Sequence, residues 1–420
     1  MKKYFFLALF ILPFVISAQN LNGRFSSSFY TFERFDTKSN SETYIRNYEG
    51  LSLNFNYDKF SVNSRLGFET NIGNSLSADP RMRFYNLYLE AREILDLVTI
   101  KIGRQPLFNS IAGGLYDGVN LKVKYDDFAI TGFYGGNVPA YQKLELTDDF
   151  ANDNVMGASF EGFFLDHFKL GVNYIDKNFK PVNFWAERID VNSNLTNLLI
   201  EQKSNQFKYL SGDLSYFDDI FTVDTRYEYD LNYEVTSKVE ATGRVQASKK
   251  FGVELYYNWR EPRINYNSIF SVFNFGNSQE FEGGFDFKID ENLTLVQKFA
   301  YVEYNDEASQ RITIGLNTSW GNISYRKNLG YAGELDGISI YTAKSFADGF
   351  ITPSVGLSYS TYKLSKDSEQ NSIAAVLAGV NVRPWKRFSF DLQTQYFNNK
   401  IYKNDLRVLL KINHWFNINF

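Results

Sequence analysis

Through most of the chain, apolar and polar residues alternate one by one. Over residues 50–57, Leu51, Leu53, Phe55 and Tyr57 alternate with Gly50, Ser52, Asn54 and Asn56. The run resumes with Phe60, Val62, Leu66 and Phe68 against Ser61, Asn63, Arg65, Gly67 and Glu69. Phe221, Val223, Tyr227, Tyr229 and Leu231 alternate in the same way with Thr222, Asp224, Arg226, Glu228 and Asp230. So do Phe251, Val253, Leu255, Tyr257 and Trp259 with Gly252, Glu254, Tyr256, Asn258 and Arg260. A period of two sorts side chains onto the two faces of a strand, whereas a helix would scatter them around a cylinder. The pattern predicts about 22 strands. The segments 323–326 and 338–341 are weakly patterned, and reading them as loop lowers the count to 20 or 18.

Soluble sandwiches alternate too, so the period alone does not fix the environment. The polar face carries charges in strand after strand, including Arg65, Glu90, Lys122, Arg244, Asp286, Lys288, Arg311 and Arg407. A sandwich would have to bury Tyr and Trp opposite them, whereas a membrane interface suits such amphipathic rings. Connections also alternate in length. Tight turns at 58–59, 93–96, 126–127, 165–167, 218–219, 249–250, 290–292 and 384–387 are separated by longer connections at 33–44, 71–81, 105–116, 136–153, 177–205 and 261–278. Short turns on one rim and long loops on the other mark a transmembrane barrel. If the mature N-terminus is periplasmic, the turns after even-numbered strands are the short ones, with 232–235 a short exception on the other rim. Aromatics bracket the tight turns, as in Tyr57-Asp58-Lys59-Phe60, Tyr125-Asp126-Asp127-Phe128 and Trp385-Lys386-Arg387-Phe388. The expected fold is all-β: a transmembrane antiparallel up-and-down β-barrel of about 22 strands (range 18–22), with no plug domain.

The ends of the chain agree with this picture. Met1-Lys2-Lys3, an apolar run over 4–16 and then Ser17-Ala18-Gln19 read as a secretory signal peptide over 1–18, cleaved after Ala18, with the barrel over 19–420. At the other end Ile412, Phe416, Ile418 and Phe420 share one face, and the last residue is aromatic. That is the form of a closing strand handed to a barrel-assembly machinery. On this register His414 falls on the lipid face near the periplasmic rim. Aromatics make up 18% of a chain whose overall hydropathy resembles a soluble protein's, as expected when half of each strand faces lipid and half faces water. Only 8 Pro occur in 420 residues, as ladder-forming strands require. Cysteine is absent, which excludes disulfides, thiolate catalysis and Cys-ligated zinc or iron–sulfur clusters. With only 2 His and a net charge of −4, neither a His-rich metal site, a cofactor nor a nucleic-acid partner is expected.

Ile100-Lys101-Ile102-Gly103-Arg104-Gln105, a loop, and then Tyr116-Asp117-Gly118-Val119 resemble the strand–loop–strand of outer-membrane porins, in particular the alginate-export and related general porin families. The Gly-Arg-Gln and Asp-Gly elements carry the likeness, and the rest of the chain is similar only in pattern. The resemblance implies a monomeric or trimeric channel with lumen-facing charges, an inward-folded loop, and Lys101 and Arg104 as basic residues near the pore wall. Strict alternation puts Arg104 on the face opposite Lys101, so a bulge or strand end must intervene if both line the pore. Arg104 can equally be a strand-end arginine that snorkels.

Polar-face side chains map the expected pore. Early strands supply Arg65, Arg92, Lys101, Lys122 and Lys124, and the closing strand supplies Arg407 and Lys411. First and last strands are neighbours in a closed barrel, so these form one basic sector. Middle strands supply Asp224, Glu228, Glu240, Glu254, Glu282 and Asp286, with Arg226, Arg244 and Arg260 among them. Either a basic wall faces an acidic one and sets up a transverse field, or the charges pair across adjacent strands and keep the lumen wet. The longest loop, 177–205, contains Phe184-Trp185 and an apolar run over 195–200, and is expected to fold into the mouth and narrow it; 136–153 comes next. Together these features point to passive diffusion of small polar or charged solutes across a Gram-negative outer membrane. The expected surroundings are the bilayer and its lipopolysaccharide, with Phe420 ending the strand read by the assembly machinery. The alternatives are an outer-membrane enzyme, for which neither histidine is well placed, and an adhesive or structural barrel.

Overall fold

The computed structural model describes residues 20–37, 40–73, 80–107, 111–138, 144–189, 195–202, 205–262, 276–304, 307–330, 333–364, 368–400 and 404–420. The expected signal peptide and its cleavage point lie outside these residues. Every regular element among them is a strand. The first half holds β1 (Asn20–Thr37), β2 (Asn40–Tyr57), β3 (Phe60–Ile72), β4 (Arg81–Ile94), β5 (Val98–Leu107), β6 (Gly114–Tyr125), β7 (Phe128–Val138), β8 (Asn154–Phe164), β9 (Phe168–Phe179), β10 (Val182–Ile189), β11 (Leu195–Gln202) and β12 (Asn205–Phe217). The second half holds β13 (Phe221–Asp230), β14 (Val235–Ser248), β15 (Phe251–Arg260), β16 (Ser278–Lys288), β17 (Leu293–Tyr304), β18 (Glu307–Thr318), β19 (Gly321–Gly330), β20 (Glu334–Ala343), β21 (Ile351–Lys363), β22 (Asn371–Trp385), β23 (Phe388–Asn399) and β24 (Asp405–Asn419).

All strands but β10 and β11 form one 22-stranded antiparallel sheet in which neighbours in sequence pair in space. β9 pairs with β12, and β10 and β11 make a separate hairpin between them. The sheet closes where β1 pairs with β24 as well as with β2, from Asn20↔Asn419 to Tyr30↔Leu409. Closure leaves no strand edge, which matters in hydrocarbon because no water is there to satisfy free N–H and C=O groups. The segments 323–326 and 338–341 lie in β19 and β20, which pair from Gly321↔Thr342 to Asn328↔Leu335. Their pattern was faint because Ser324 and Ser339 are small, and a short hydroxyl contrasts little with its neighbours.

The rim that carries Asn20 and Asn419 also carries the tight turns. Asp58 and Asp126, at φ 49° and 51°, adopt the left-handed backbone that a two-residue hairpin needs and that Asp tolerates. In the β12–β13 turn Asp218 accepts the N–H groups of Ile220 and Phe221 and the hydroxyl of Tyr216. The two N–H bonds hold its carboxyl below the usual carboxylate range. The 33–44 connection, expected to be an irregular loop, is ladder over its described residues. Pairing of β1 with β2 continues through Glu33↔Thr43 and Arg34↔Glu42, and the Tyr30, Phe32 and Tyr44 rings stack across it. Aromatic cross-strand pairs favour an extended hairpin over a loop.

Directly paired residues share a face, so register carries face identity from strand to strand. The alternation worked out for 50–57 therefore propagates around the whole barrel. Leu89, Ile102, Ile130, Leu255 and Phe299 lie on the apolar set and are about half exposed or more, as lipid-facing side chains should be. The polar set lines the interior.

Candidate functional site

The interior differs in character around its circumference. On β5–β9 and β12 it is filled by an apolar cluster of Leu107, Ile111, Tyr116, Val155, Ile175 and Tyr209, with Ala112, Phe133 and Phe207 packed against it. Register places Tyr116, Phe133, Val155, Ile175, Phe207 and Tyr209 on the inner face. Ile111 and Ala112 belong to the β5–β6 connection. A loop side chain only 7% exposed among inner-face residues means that the described part of this connection, 111–113, folds inward onto the wall. Lys177, on the same face as Val155 and 7% exposed, donates from Nζ to the Gly113 carbonyl at 2.8 Å and fastens the loop there.

The wall is shaped to receive this cluster. A Cβ on Gly135 would come within 2.8 Å of the Tyr116 ring and 2.5 Å of the Asp117 carbonyl. The bare backbone there is what lets Tyr116 lie flat, fully buried. The constricting element is therefore not 177–205. That stretch extends β9 and β12 and forms the β10–β11 hairpin, whose Phe184, Trp185 and Leu195 are 45%, 69% and 73% exposed rather than packed on the wall. The apolar residues of the expected loop belong to a hairpin, Phe184 pairing with Ile200 and Trp185 with Leu199. The inward fold depended on a pocket spread over six strands, and no local pattern announces that. Within 136–153, Thr147 and Phe150 pack back over Gly136 at the end of β7.

The Gly-Arg-Gln and Asp-Gly elements prove to be cross-strand partners, with Gly103↔Gly118 and Arg104↔Asp117. Arg104 Nε and Nη2 bond both Asp117 carboxylate oxygens at 2.8 and 2.7 Å, with the two side chains 7% and 8% exposed. Their face is opposite that of Lys101. Arg104 is thus neither a pore-wall cation nor a snorkelling strand end, but half of a buried fork-to-fork pair that ties β5 to β6 just before the inward loop. Gly103, at φ +127°, has a backbone that a side chain would strain.

From β12 to β18 the inner face is a ladder of paired charges. Arg226 meets Asp213 at 2.5 Å, Lys238 meets Glu240 at 2.7 Å, and Arg244 meets Asp286 at 2.7 Å and Glu254 at 4.0 Å. Lys298 bridges Glu254 and Glu282, and Arg311 bridges Glu280 and Glu282. Asp224, Glu228 and Arg260 share this face through Thr242, Lys238 and each other's rows. Opposite charges on this wall are thus joined strand to strand, which offsets most of the transverse field a purely acidic wall would produce.

The seam from β24 through β6 is different. Register gives Arg65, Lys101, Lys122, Lys124, Arg407 and Lys411 one inner face. Arg92, two residues beyond Glu90, reaches inner-face Asn56. Lys101 lies 3.5 Å from Glu90, and Arg407 donates from both Nε and Nη2 to Oδ2 of Asp405. Among the described residues Arg65, Lys122, Lys124 and Lys411 make no ion pair. Aromatic rings sit under several of these cations: Tyr85 under Arg65, Tyr88 under Lys101 and Phe397 under Arg407, at 5.0–5.6 Å. Asn54, Asn56 and Asn63 form an amide row below them. On β19–β22, half the circumference from the inward loop, the wall is built mainly of small residues: Ser324, Ser339, Ser358 and Ala375 make one row, and Arg326, Gly337, Ser360 and Ile373 the next.

At the long-connection rim, Lys180 binds Asp148 at 2.7 Å, which raises its pKa. His167 lies in the β8–β9 turn with Nδ1 3.0 Å from the Phe217 carbonyl, and His414 stands on the outer face between the Phe388 and Phe416 rings.

No family model matches the chain. No curated protein matches it either. Several solved structures are similar to it, at low identity. The P pilus usher PapC translocation pore is 9% identical with a TM-score of 0.46, over 96% of this chain and all of that one. OccAB1 of Acinetobacter baumannii is 8% identical with a TM-score of 0.44, over 95% and 96% of the two chains. OccAB3 of the same organism is 10% identical with a TM-score of 0.43, over 95% and 99%.

Proposed function

We propose that the chain is a passive channel of a bacterial outer membrane, admitting small polar or charged solutes through the barrel interior. The observation that carries this reading is the division of a closed sheet into an apolar outer face and an inner one that is polar except where the apolar cluster on β5–β9 and β12 seats the β5–β6 connection. A barrel of 22 strands is wide enough to hold a plug domain, and among the described residues only the β5–β6 connection packs inside. That connection occupies one wall, and passage runs along the small-residue wall of β19–β22, between the paired-charge ladder and the basic seam. Tight turns and both described ends lie on one rim, which makes that rim periplasmic and the β10–β11 hairpin extracellular. In this reading the pore-lining set comprises Arg65, Arg92, Lys101, Lys122, Lys124, Asp224, Arg226, Glu228, Arg244, Glu254, Arg260, Asp286, Arg407 and Lys411. The strand ending at Phe420 is the segment that the assembly machinery meets.

Refolded protein in planar lipid bilayers tests the proposal. Stepwise, ohmic current increments with a reproducible unit conductance are expected. A protein that inserts, migrates as a heat-modifiable folded species and yet passes no current would refute a diffusion channel and favour a structural barrel.

A further inference from the structure

Three arginines converge on one carboxylate inside the barrel. Arg46 Nη2 lies 2.9 Å from Glu69 Oε2, Arg83 Nε 3.5 Å from Oε1 and Arg81 Nε 3.9 Å from Oε2. Register explains the convergence. Glu69 faces Tyr48 on β2 and Arg81 on β4, with Asn71 opposite Arg46 and Gly67 opposite Arg83, all on the inner face. A bulge between Arg65 and Leu66 turns Tyr85 inward beside Gly67, and Arg65 lies over the Tyr85 ring.

One carboxylate cannot saturate three guanidiniums. Nε of Arg81 and of Arg83 is enclosed and has no hydrogen-bond acceptor, because both distances to Glu69 exceed bonding range. Two N–H donors buried without acceptors are costly to leave so, and a ligand oxygen would satisfy them. The side chains are 20–30% exposed, so the cluster is open to the lumen. Three positive charges against one negative leave two positive charges at a single point on the wall. Guanidinium forks match the geometry of tetrahedral oxyanions.

We propose that Arg46, Arg81 and Arg83 form a binding station for solutes bearing a dianionic oxyanion, a phosphate group above all, on their way through the barrel. This rests on the channel reading and adds a substrate class to it. The solute's oxygens meet the lumen-exposed parts of the three guanidiniums, which turn to bring the enclosed Nε donors of Arg81 and Arg83 to them, and Glu69 holds the three arginines in register.

The test uses the full-length refolded protein in planar bilayers with chloride as charge carrier and inorganic phosphate as probe. Millimolar phosphate should reduce the chloride current in a saturable way, and acetate at the same concentration should do so at least tenfold less effectively. R81Q/R83Q should raise the half-blocking phosphate concentration about tenfold. K250Q, which removes a positive charge from the exposed β14–β15 turn, should leave it within twofold. Heat-modifiable migration of each variant guards against misfolding. A wild-type protein that conducts but shows no phosphate block overturns the station, as do equal block by acetate and block unchanged in R81Q/R83Q. Absence of any wild-type current would instead overturn the channel reading itself.

Discussion

Lys177→Met removes one interaction from the inward loop and leaves the wall intact. The Lys177 ammonium is buried, bonds the Gly113 carbonyl at 2.8 Å and lies 5.1 Å from the centre of the Phe179 ring. Methionine keeps the unbranched apolar stem against Val155 and Phe207 but has no donor. A hydrogen bond to a charged group contributes about 1.5–3 kcal/mol, and 1.4 kcal/mol corresponds to tenfold in an equilibrium. The loop should therefore leave the wall about ten to one hundred times more often than in the wild type. Single-channel recording reads this directly as brief excursions to a larger conductance, more frequent by that factor, on an unchanged base level. Lys177→Arg, which retains a donor, should lie nearer the wild type. If K177M folds normally and its excursions are no more frequent, the β5–β6 connection does not set the width of the passage.

Asp117→Asn takes the opposite charge away from buried Arg104 and should cost up to about 3–5 kcal/mol; the folded band in unheated electrophoresis should convert at a clearly lower temperature, and Arg104→Gln in the same chain should restore part of the loss. Trp385 and Tyr125, 67% and 70% exposed at the turn rim, should anchor the barrel at the interface, so their replacement by Ala should each cost about 1–3 kcal/mol of bilayer affinity, measured as slower folding into liposomes. The carboxyl of Asp218 is held below its ordinary range by two backbone N–H groups. Its stabilisation of the β12–β13 turn should therefore be complete above the unfolded carboxylate range and be lost only as pH falls through the lowered folded value; amide exchange at Ile220 and Phe221 should accelerate there, and in Asp218→Ala it should be fast at every pH.

Most of the barrel could be read from residue order because each strand repeats the same two-sided chemistry. Leu51 to Tyr57 on one side and Ser52 to Asn56 on the other required nothing but a period of two, and the turns announced themselves through Asp58 and Asp126. Even the weak strands β19 and β20 were in view, muted by Ser324 and Ser339. What could not be read depends on residues distant in sequence meeting in space. Ile111 looks like any loop isoleucine until Val155, Ile175 and Tyr209 form a pocket for it. Arg104 looked like a pore cation because its partner, Asp117, lies across the loop on the next strand. The apolar residues of 195–200 suggested packing, yet pairing with Phe184 and Trp185 places them on an exposed hairpin. The Arg46, Arg81 and Arg83 cluster needed the β3–β4 register and its bulge. Masses of charge on the β12–β18 face were legible, but their mutual pairing was not.

The central claim is that alternate residues of each strand face lipid and water. The chain has no cysteine, so single cysteines carrying a nitroxide can be introduced one by one along 253–259 in β15. In liposomes, collision with oxygen should be high at 253, 255, 257 and 259, and collision with a water-soluble nickel chelate high at 254, 256 and 258, the two profiles out of phase with a period of two. Profiles that rise and fall together, or nickel access at every position, would contradict the barrel.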